Sequence, residues 1–268
     1  MESVIRMKKG MKGKVITVTS MKGGVGKTQF VLNLASILAL EKKKVLIVDL
    51  DLYTGDVAFA LNLKPAGTIF NLCDDITNNR YKFDSKNVYI TDYNEYISVL
   101  ASPKDPRQAN KIDPRYIELI LNQFSGKFDV VLVDTSHILS HYNIMAFELS
   151  DKILHVFTND ACDIKSTKSF VSICKNMNVD NLVMVLNNSC DNRKKYFSNY
   201  DMKSVIGKNI DFIIPESFYV KKIDSYLMDG NLMDVYLNRR RDKDYNKFKS
   251  IIDVILDISK EGSDINEK

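Results

Sequence analysis

Seven consecutive residues, Lys22-Gly23-Gly24-Val25-Gly26-Lys27-Thr28, have the composition of a loop that holds phosphate. Glycines at 23, 24 and 26 let a backbone come close to an anion and adopt positive φ without a Cβ clash. A helix starting at the end of such a loop adds the positive end of its dipole and its unpaired N–H groups. In that setting Lys27 reaches the β- and γ-phosphates of a nucleotide and the Thr28 hydroxyl sits on Mg²⁺. The loop departs from the common G-x-x-x-x-G-K-[ST] form: Met21 stands where the first glycine would be, and Lys22 follows it.

Two acidic groups lie further along the chain, each at the end of an apolar run. Asp49-Leu50-Asp51 follows Val45–Val48, and side chains two apart on an extended segment point the same way, so both carboxylates could face the phosphates. Phe128–Asp134 reads as a strand ending in a Walker B aspartate, with Asp134 holding Mg²⁺ through water. His137 and His141 have the spacing of a metal pair on a helix. With no glutamate beside them and no third ligand, we expect no zinc site.

The elements that must position these groups are legible as alternation. Short β-branched runs at Val15–Thr19, Val45–Val48, Ile97–Leu100, Val130–Val133, Ile153–Phe157, Leu182–Leu186 and Phe212–Ile214 read as strands covered on both faces. Segments of helical period at Thr28–Glu41, Pro114–Phe124, Ile164–Met177, Ser217–Met228 and Tyr245–Ile258 fall between or after them. This pattern predicts an α/β fold with a doubly wound, mostly parallel sheet flanked by helices. We expect a single domain over residues 14–260, with a loose segment at 1–13 and a polar tail at 261–268.

Composition is that of a globular chain: 268 residues, 45% hydrophobic and 27% charged. The excess of 38 basic over 34 acidic residues is too mild to demand a nucleic acid or an anionic membrane, or to exclude one. The longest apolar stretch, Phe30–Leu40, is interrupted by Asn33 and Ser36 and is too short for a membrane span, and no secretory signal is evident. Four scattered cysteines without a C-x-x-C pair suggest reduced thiols and a cytoplasmic protein.

The Lys22–Thr28 run resembles the K-G-G-x-G-K-[ST] signature of the MinD/ParA group of deviant Walker A P-loop ATPases, and the resemblance extends from about Lys14 to Ile258. It implies ATP as the nucleotide, cradled by Gly23, Gly24, Val25, Gly26, Lys27, Thr28 and Gln29, and slow, partner-stimulated hydrolysis. It also implies a homodimer formed through ATP, in which Lys22 reaches the partner's nucleotide. Carried over residue by residue, Asp51 positions the attacking water and Asp49 lies near the metal, with Thr28 and Asp134 as the other metal-side groups. Asn187 matches a V-x-N element that contacts adenine, and Ile214-Pro215-Glu216 resembles an I-P-x-D segment bordering the base. The family usually has proline after the Walker B aspartate; here the run is Thr135-Ser136-His137-Ile138.

Within the family, Val48–Ala58 resembles the D-L-D-L-x-x-G-D-V-A segment of CpaE/TadZ proteins, which support pilus machinery. Leu61–Pro65 and Ile97–Pro103 are similar to that branch too, although its usual N-terminal receiver-like domain has no counterpart among the first dozen residues. The branch implies a protein partner from a pilus, secretion or positioning system, and recruitment to a pole or the inner face of the membrane. A partition ATPase binding nonspecific DNA, a MinD-like membrane-associated ATPase and a non-hydrolysing nucleotide-bound scaffold are the alternatives. The basic run Arg239–Arg241 with Lys243 could touch DNA phosphates, but a solvated loop is the plainer reading. The amphipathic stripe Tyr245, Phe248, Ile252, Ile255, Leu256 has a mixed-charge polar face, so we expect it to pack on the fold rather than lie on a membrane.

Overall fold

The computed structural model describes residues 12–78, 88–189, 197–238 and 245–257. The basic run at 239–243, Cys190, the last residue of the expected final helix, and the segments 1–11 and 258–268 lie outside the described residues.

Among the described residues, eight strands form one sheet. They are β1 (Lys14–Thr19), β2 (Val45–Leu50), β3 (Ile90–Asp92), β4 (Ile97–Leu100), β5 (Val130–Thr135), β6 (Lys152–Phe157), β7 (Leu182–Asn187) and β8 (Phe212–Ile214). Their order is β3-β4-β2-β5-β1-β6-β7-β8, and every pairing is parallel except β3 with β4. The doubly wound, mostly parallel sheet expected from the alternation is therefore present, with β3 as an added antiparallel edge. The chain builds one half of the sheet to one side of β1 and then crosses to build the other half. The carboxyl end of β1 is thus a topological switch point, the place where such sheets bind ligands.

The period-2 alternation of the strands feeds two faces. Ile16, Val18, Ile47, Leu132 and Val156 point into a core shared with helix α1 (Lys27–Leu40). Val15, Leu46, Val48, Val131 and Val133 point to the other face, against α3 (Ile69–Asn78) and α4 (Arg115–Ser125). Beyond β1 that second face is covered by α6 (Ala161–Asn176) and α7 (Asn199–Ile206). Two shorter helices, α2 (Val57–Ala60) and α5 (His141–Glu148), follow the acidic segments after β2 and β5.

Helix α1 is buried on every side from Phe30 to Ala39, because the sheet lies on one side of it and the chain's last helices lie on the other. Its two polar interruptions bond locally, Asn33 Nδ2 donating to Gln29 O at 2.8 Å and Ser36 Oγ to Asn33 O at 2.7 Å, although Asn33 Oδ1 is buried without a hydrogen-bond partner. The cover comes from α8 (Ile223–Asp229), α9 (Leu232–Leu237) and α10 (Tyr245–Ile255). Phe248 of α10 sits 5.8 Å from the Phe30 ring and 4.6 Å from the Phe218 ring, centroid to centroid. Ile251, Ile252 and Ile255 are buried with it, and the Tyr245 hydroxyl donates to Glu41 Oε1 at 2.9 Å. The C-terminal apolar stripe is core. No helix among the described residues is long and apolar enough to cross a membrane.

One expected helix is not continuous. Ser217–Met228 breaks into a 3₁₀ turn at Glu216–Phe218, an extended link, and α8, which starts after Lys222 at φ 56°. The reason lies in the burial pattern: Phe218 and Val220 are both buried while Tyr219 is exposed, the two-residue alternation of extended chain and not a helical stripe.

Because Phe248 joins α10 to α1 and to the turn before α8, Phe248→Ala is expected to destabilise the protein by about 3–5 kcal/mol. A lowered urea midpoint with an unchanged slope is the expected readout. A midpoint equal to that of the parent chain would show that α10 is not part of the core.

Candidate active site

The carboxyl ends of β1, β2 and β5 lie side by side, and each leads into one part of the site. The loop after β1 turns through left-handed backbone at Gly24 (φ 75°) and Gly26 (φ 84°), where a β-carbon would be strained, and α1 begins at Lys27. Protein donors take up the loop's carbonyls: Ser20 Oγ donates to Lys22 O at 2.8 Å, Asn187 Nδ2 to Val25 O at 2.9 Å, and Phe30 N to Gly26 O at 2.9 Å. With its negative ends occupied, the loop has the polarity an anion requires. The Val25 side chain is buried in the core, and Met21, the residue in place of the usual glycine, packs against the cluster beneath α6.

Asp49 and Asp134 stand opposite each other on β2 and β5, and both are buried. Asp134 Oδ2 accepts a hydrogen bond from the Thr28 hydroxyl at 2.7 Å, while its Oδ1 is buried without a hydrogen-bond partner. Burial raises the Asp134 pKa to about 6, against the opposing effects of the Thr28 hydrogen bond and the Lys27 charge. A buried carboxylate oxygen with no donor, next to a hydroxyl and across from a second carboxylate, is a donor set that suits Mg²⁺.

Asp49, expected near the metal, stands opposite Asp134 and is also engaged by the backbone of the loop that follows β2. Its Oδ1 accepts from Asp51 N at 3.1 Å and its Oδ2 from Val57 N at 3.3 Å, and it is fully enclosed. Both oxygens are engaged by backbone, so Asp49 fastens the loop that follows β2. Burial and the neighbouring Asp134 push its pKa well up. Gly55 completes this arrangement, since a β-carbon there would overlap Ser102 Oγ and Asp49 Oδ2. Asp51 is half-buried: its Oδ1 accepts from Thr54 N at 3.3 Å and Thr54 Oγ1 at 3.0 Å, and the residue lines the cleft.

That cleft has a volume of about 520 Å³. It is lined by Gly23, Gly24, Gly26, Lys27, Thr28 and Gln29 of the phosphate loop and the start of α1, by Asp51, Thr54, Asp56 and His137 from the segments after β2 and β5, and by Ser189, Tyr219, Val220 and Ile223. Asn187 and Pro215, expected at the base, do not line it. Asn187 is buried, its amide nitrogen on Val25 O and its Oδ1 accepting from Ser189 N at 2.9 Å and Ser189 Oγ at 2.7 Å, so it braces the phosphate loop from behind. Pro215 follows β8 and opens the 3₁₀ turn. The groups that face the cleft come a few residues later, on the extended link that sequence periodicity rendered as helix.

Lys22 does not face its own cleft either. Its Nζ pairs with Asp160 Oδ1 at 2.8 Å, and Asp160 also caps α6 by accepting from Cys162 N and Asp163 N, both at 3.1 Å. This capping starts α6 three residues earlier than its apolar pattern indicates. His137 lies outside any helix and His141 opens α5, so they do not form the helical pair considered for zinc. No cluster of metal-ligating side chains of three or more is found among the described residues. Cys73, Cys162 and Cys174 are unbridged.

Two outcomes are expected from this geometry. Asn187→Ala leaves the buried Val25 carbonyl unpaired, which should cost about 1–3 kcal/mol in chemical denaturation and weaken nucleotide binding in parallel. An unchanged stability and affinity would show that the brace is idle. The Asp134 carboxyl holds its proton in the folded state to about pH 6, above the ordinary 3.8, so its contribution to stability is present below 3.8 and lost as pH rises through 6. Without metal and nucleotide, the urea midpoint of Asp134→Asn should therefore exceed that of the parent chain near neutral pH, and the gap should close in acid. A gap that widens in acid would contradict this.

Comparison with known proteins supports the same reading of the fold. The AAA domain family profile matches residues 13–189. The septum site-determining protein MinD of Helicobacter pylori is 28% identical over 160 residues, spanning 59% of this chain and 58% of that protein's length. Among solved structures, a ParA family ATPase from Chlorobium tepidum superposes with a TM-score of 0.75 at 21% identity, covering 91% of this chain and 98% of that one. The Pyrococcus horikoshii MinD in complex with Mg-ADP superposes with a TM-score of 0.70 at 20% identity, covering 91% of this chain and 94% of that one. With the phosphate loop, the Thr28–Asp134 pair and the parallel sheet in place, the chain belongs to the AAA domain family and has the fold of the solved ParA and MinD structures.

Proposed function

We propose that the chain is an ATP-driven switch that dimerises through its nucleotide, hydrolyses it slowly, and so positions or partitions a cellular structure from the cytoplasm. The observation that carries this reading is the Thr28–Asp134 contact, with an orphaned carboxylate oxygen on the phosphate loop's own hydroxyl partner. The names of the relatives, a septum-site protein and a ParA family ATPase, support the positioning or partition role.

In the reaction, the loop's N–H groups and Lys27 hold the β- and γ-phosphates. Asp51, anchored through Oδ1 by Thr54, orients a water molecule toward the γ-phosphorus. The water oxygen bonds to phosphorus, the bond to the bridging oxygen of ADP breaks, and the water's protons pass to the released phosphate and to solvent. Thr28 and Asp134 would hold Mg²⁺, which would supply positive charge to the phosphate oxygens; the Pyrococcus horikoshii MinD of similar fold is a complex with Mg-ADP. Lys22 is the group for the partner's nucleotide. Its pairing with Asp160 is half-exposed, and such pairs are worth about 0–1 kcal/mol, so a second subunit's phosphates can draw it away.

The finer proposal, that the structure served is a pilus or secretion apparatus, rests on the Val48–Ala58 segment. Gly55 and Val57 give that segment a local role around Asp49, so a partner assay is the appropriate test. A partition role on nonspecific DNA is the second reading. Exposed Lys165, Lys168 and Lys203, with half-buried Lys208, on and after the packed helices α6 and α7 favour it.

We expect measurable ATP hydrolysis by the parent chain and at least about a hundredfold loss in Asp51→Ala and in Lys22→Ala. Equal background rates in all three would leave only a nucleotide-bound scaffold. ATP-dependent retention on nonspecific DNA that falls with salt would select the partition reading; no retention at low salt would remove it.

A further inference from the structure

His137 has no part in the mechanism above, yet it stands in the cleft. Its ring lies against the start of the phosphate loop: a β-carbon on Gly23 would be 3.8 Å from His137 Nδ1 and 3.9 Å from Cε1. A larger residue at 23 would therefore fill the space between ring and loop. His137 follows Asp134 by three residues and lines the same cleft as Asp51, Lys27 and Thr28. On the reading given above, these are the residues that attend the terminal phosphate.

The backbone on both sides of His137 is held in place. Thr135 Oγ1 donates to Val18 O at 2.9 Å, which ties the loop's start to β1. The buried Asn143 of α5 donates from Nδ2 to Ser136 O at 3.2 Å and to Ile138 O at 2.7 Å, bridging the residues that flank His137. Ser140 N donates to Ile138 O at 2.8 Å and so closes the turn. A loop carrying only a solvated side chain has no need of a buried amide holding both of its neighbours. The backbone that carries the exposed imidazole therefore has little ordering entropy left to lose on binding.

We propose that His137 donates a hydrogen bond from its imidazole to an oxygen of the terminal phosphate of a bound nucleoside triphosphate, so that the cleft distinguishes triphosphate from diphosphate. This rests on the reading of the cleft as a nucleotide site. The contact exists only while the terminal phosphate is present, and Asn143 acts as the positioning residue behind it.

Calorimetric titration of the full chain with ADP and with AMPPNP, in Mg²⁺, tests this for the parent chain, His137→Ala and His137→Gln. His137→Ala should weaken AMPPNP binding about tenfold and ADP binding by no more than about twofold, and His137→Gln, which keeps a donor, should recover most of the loss. Unaltered ADP binding shows that the variant is folded. If the parent chain binds both nucleotides and His137→Ala shifts neither, or shifts both equally, the contact is refuted while the nucleotide site stands. If the parent chain binds neither, the nucleotide site itself is refuted and the His137 contact with it.

Discussion

Two carboxylates, Asp49 and Asp134, are buried opposite each other at the carboxyl edge of neighbouring strands, and the rest of the site is organised around keeping them there. Enclosed carboxylates are costly unless hydrogen bonds and positive charge compensate them. Here the two are treated unequally. Asp49 is satisfied by two backbone N–H groups under the cover of Gly55, and becomes structural. Asp134 is left with one hydroxyl partner and one bare oxygen, and its proton is held to about pH 6. The asymmetry turns a pair of acids into a fastener and a receptor for charge. Lys27 on the adjacent loop lowers the cost at Asp134 only partly, so a cation and a phosphate complete a balance the protein alone leaves open.

This arrangement depends on the sheet order. Only because β1 lies between β5 and β6, with β2 beyond β5, do the loop, the two aspartates and the Asp134 turn open on one side. The helices that cover α1 hold that loop's helix in a dry environment from Phe30 onward, and Asn187 reaches from β7 to brace its Val25 carbonyl. The phosphate loop is thus held from both halves of the sheet.

Much of this was legible in the sequence, and the physical reason is that the strands are buried on both faces. A continuous apolar run such as Val130–Val133 has few other readings, and a glycine-rich loop between such a run and a helix has fewer. What escaped is instructive. Helix α3 carries Ile69, Leu72, Cys73 and Ile76 at helical spacing, and α7 has a full capping box between Ser198 and Asp201; both signals were present but short. The break before α8 was hidden because Ile223 and Leu227, further along the segment, do fall at helical spacing, and only tertiary contact shows the extended link before them. Asn187 and Asp49 illustrate a different gap: their hydrogen bonds to Val25, Asp51 and Val57 belong to this fold and are not encoded in spacing.

The central claim is that nucleotide state sets assembly, with Lys22 exchanging Asp160 for a second subunit's phosphates. The most direct test is the molar mass in solution, by sedimentation, with Mg²⁺ and in turn ADP, ATP and a slowly hydrolysed analogue. The account predicts a monomer with ADP and a dimer with the analogue, lost in Lys22→Ala. A monomer under all three conditions would contradict it.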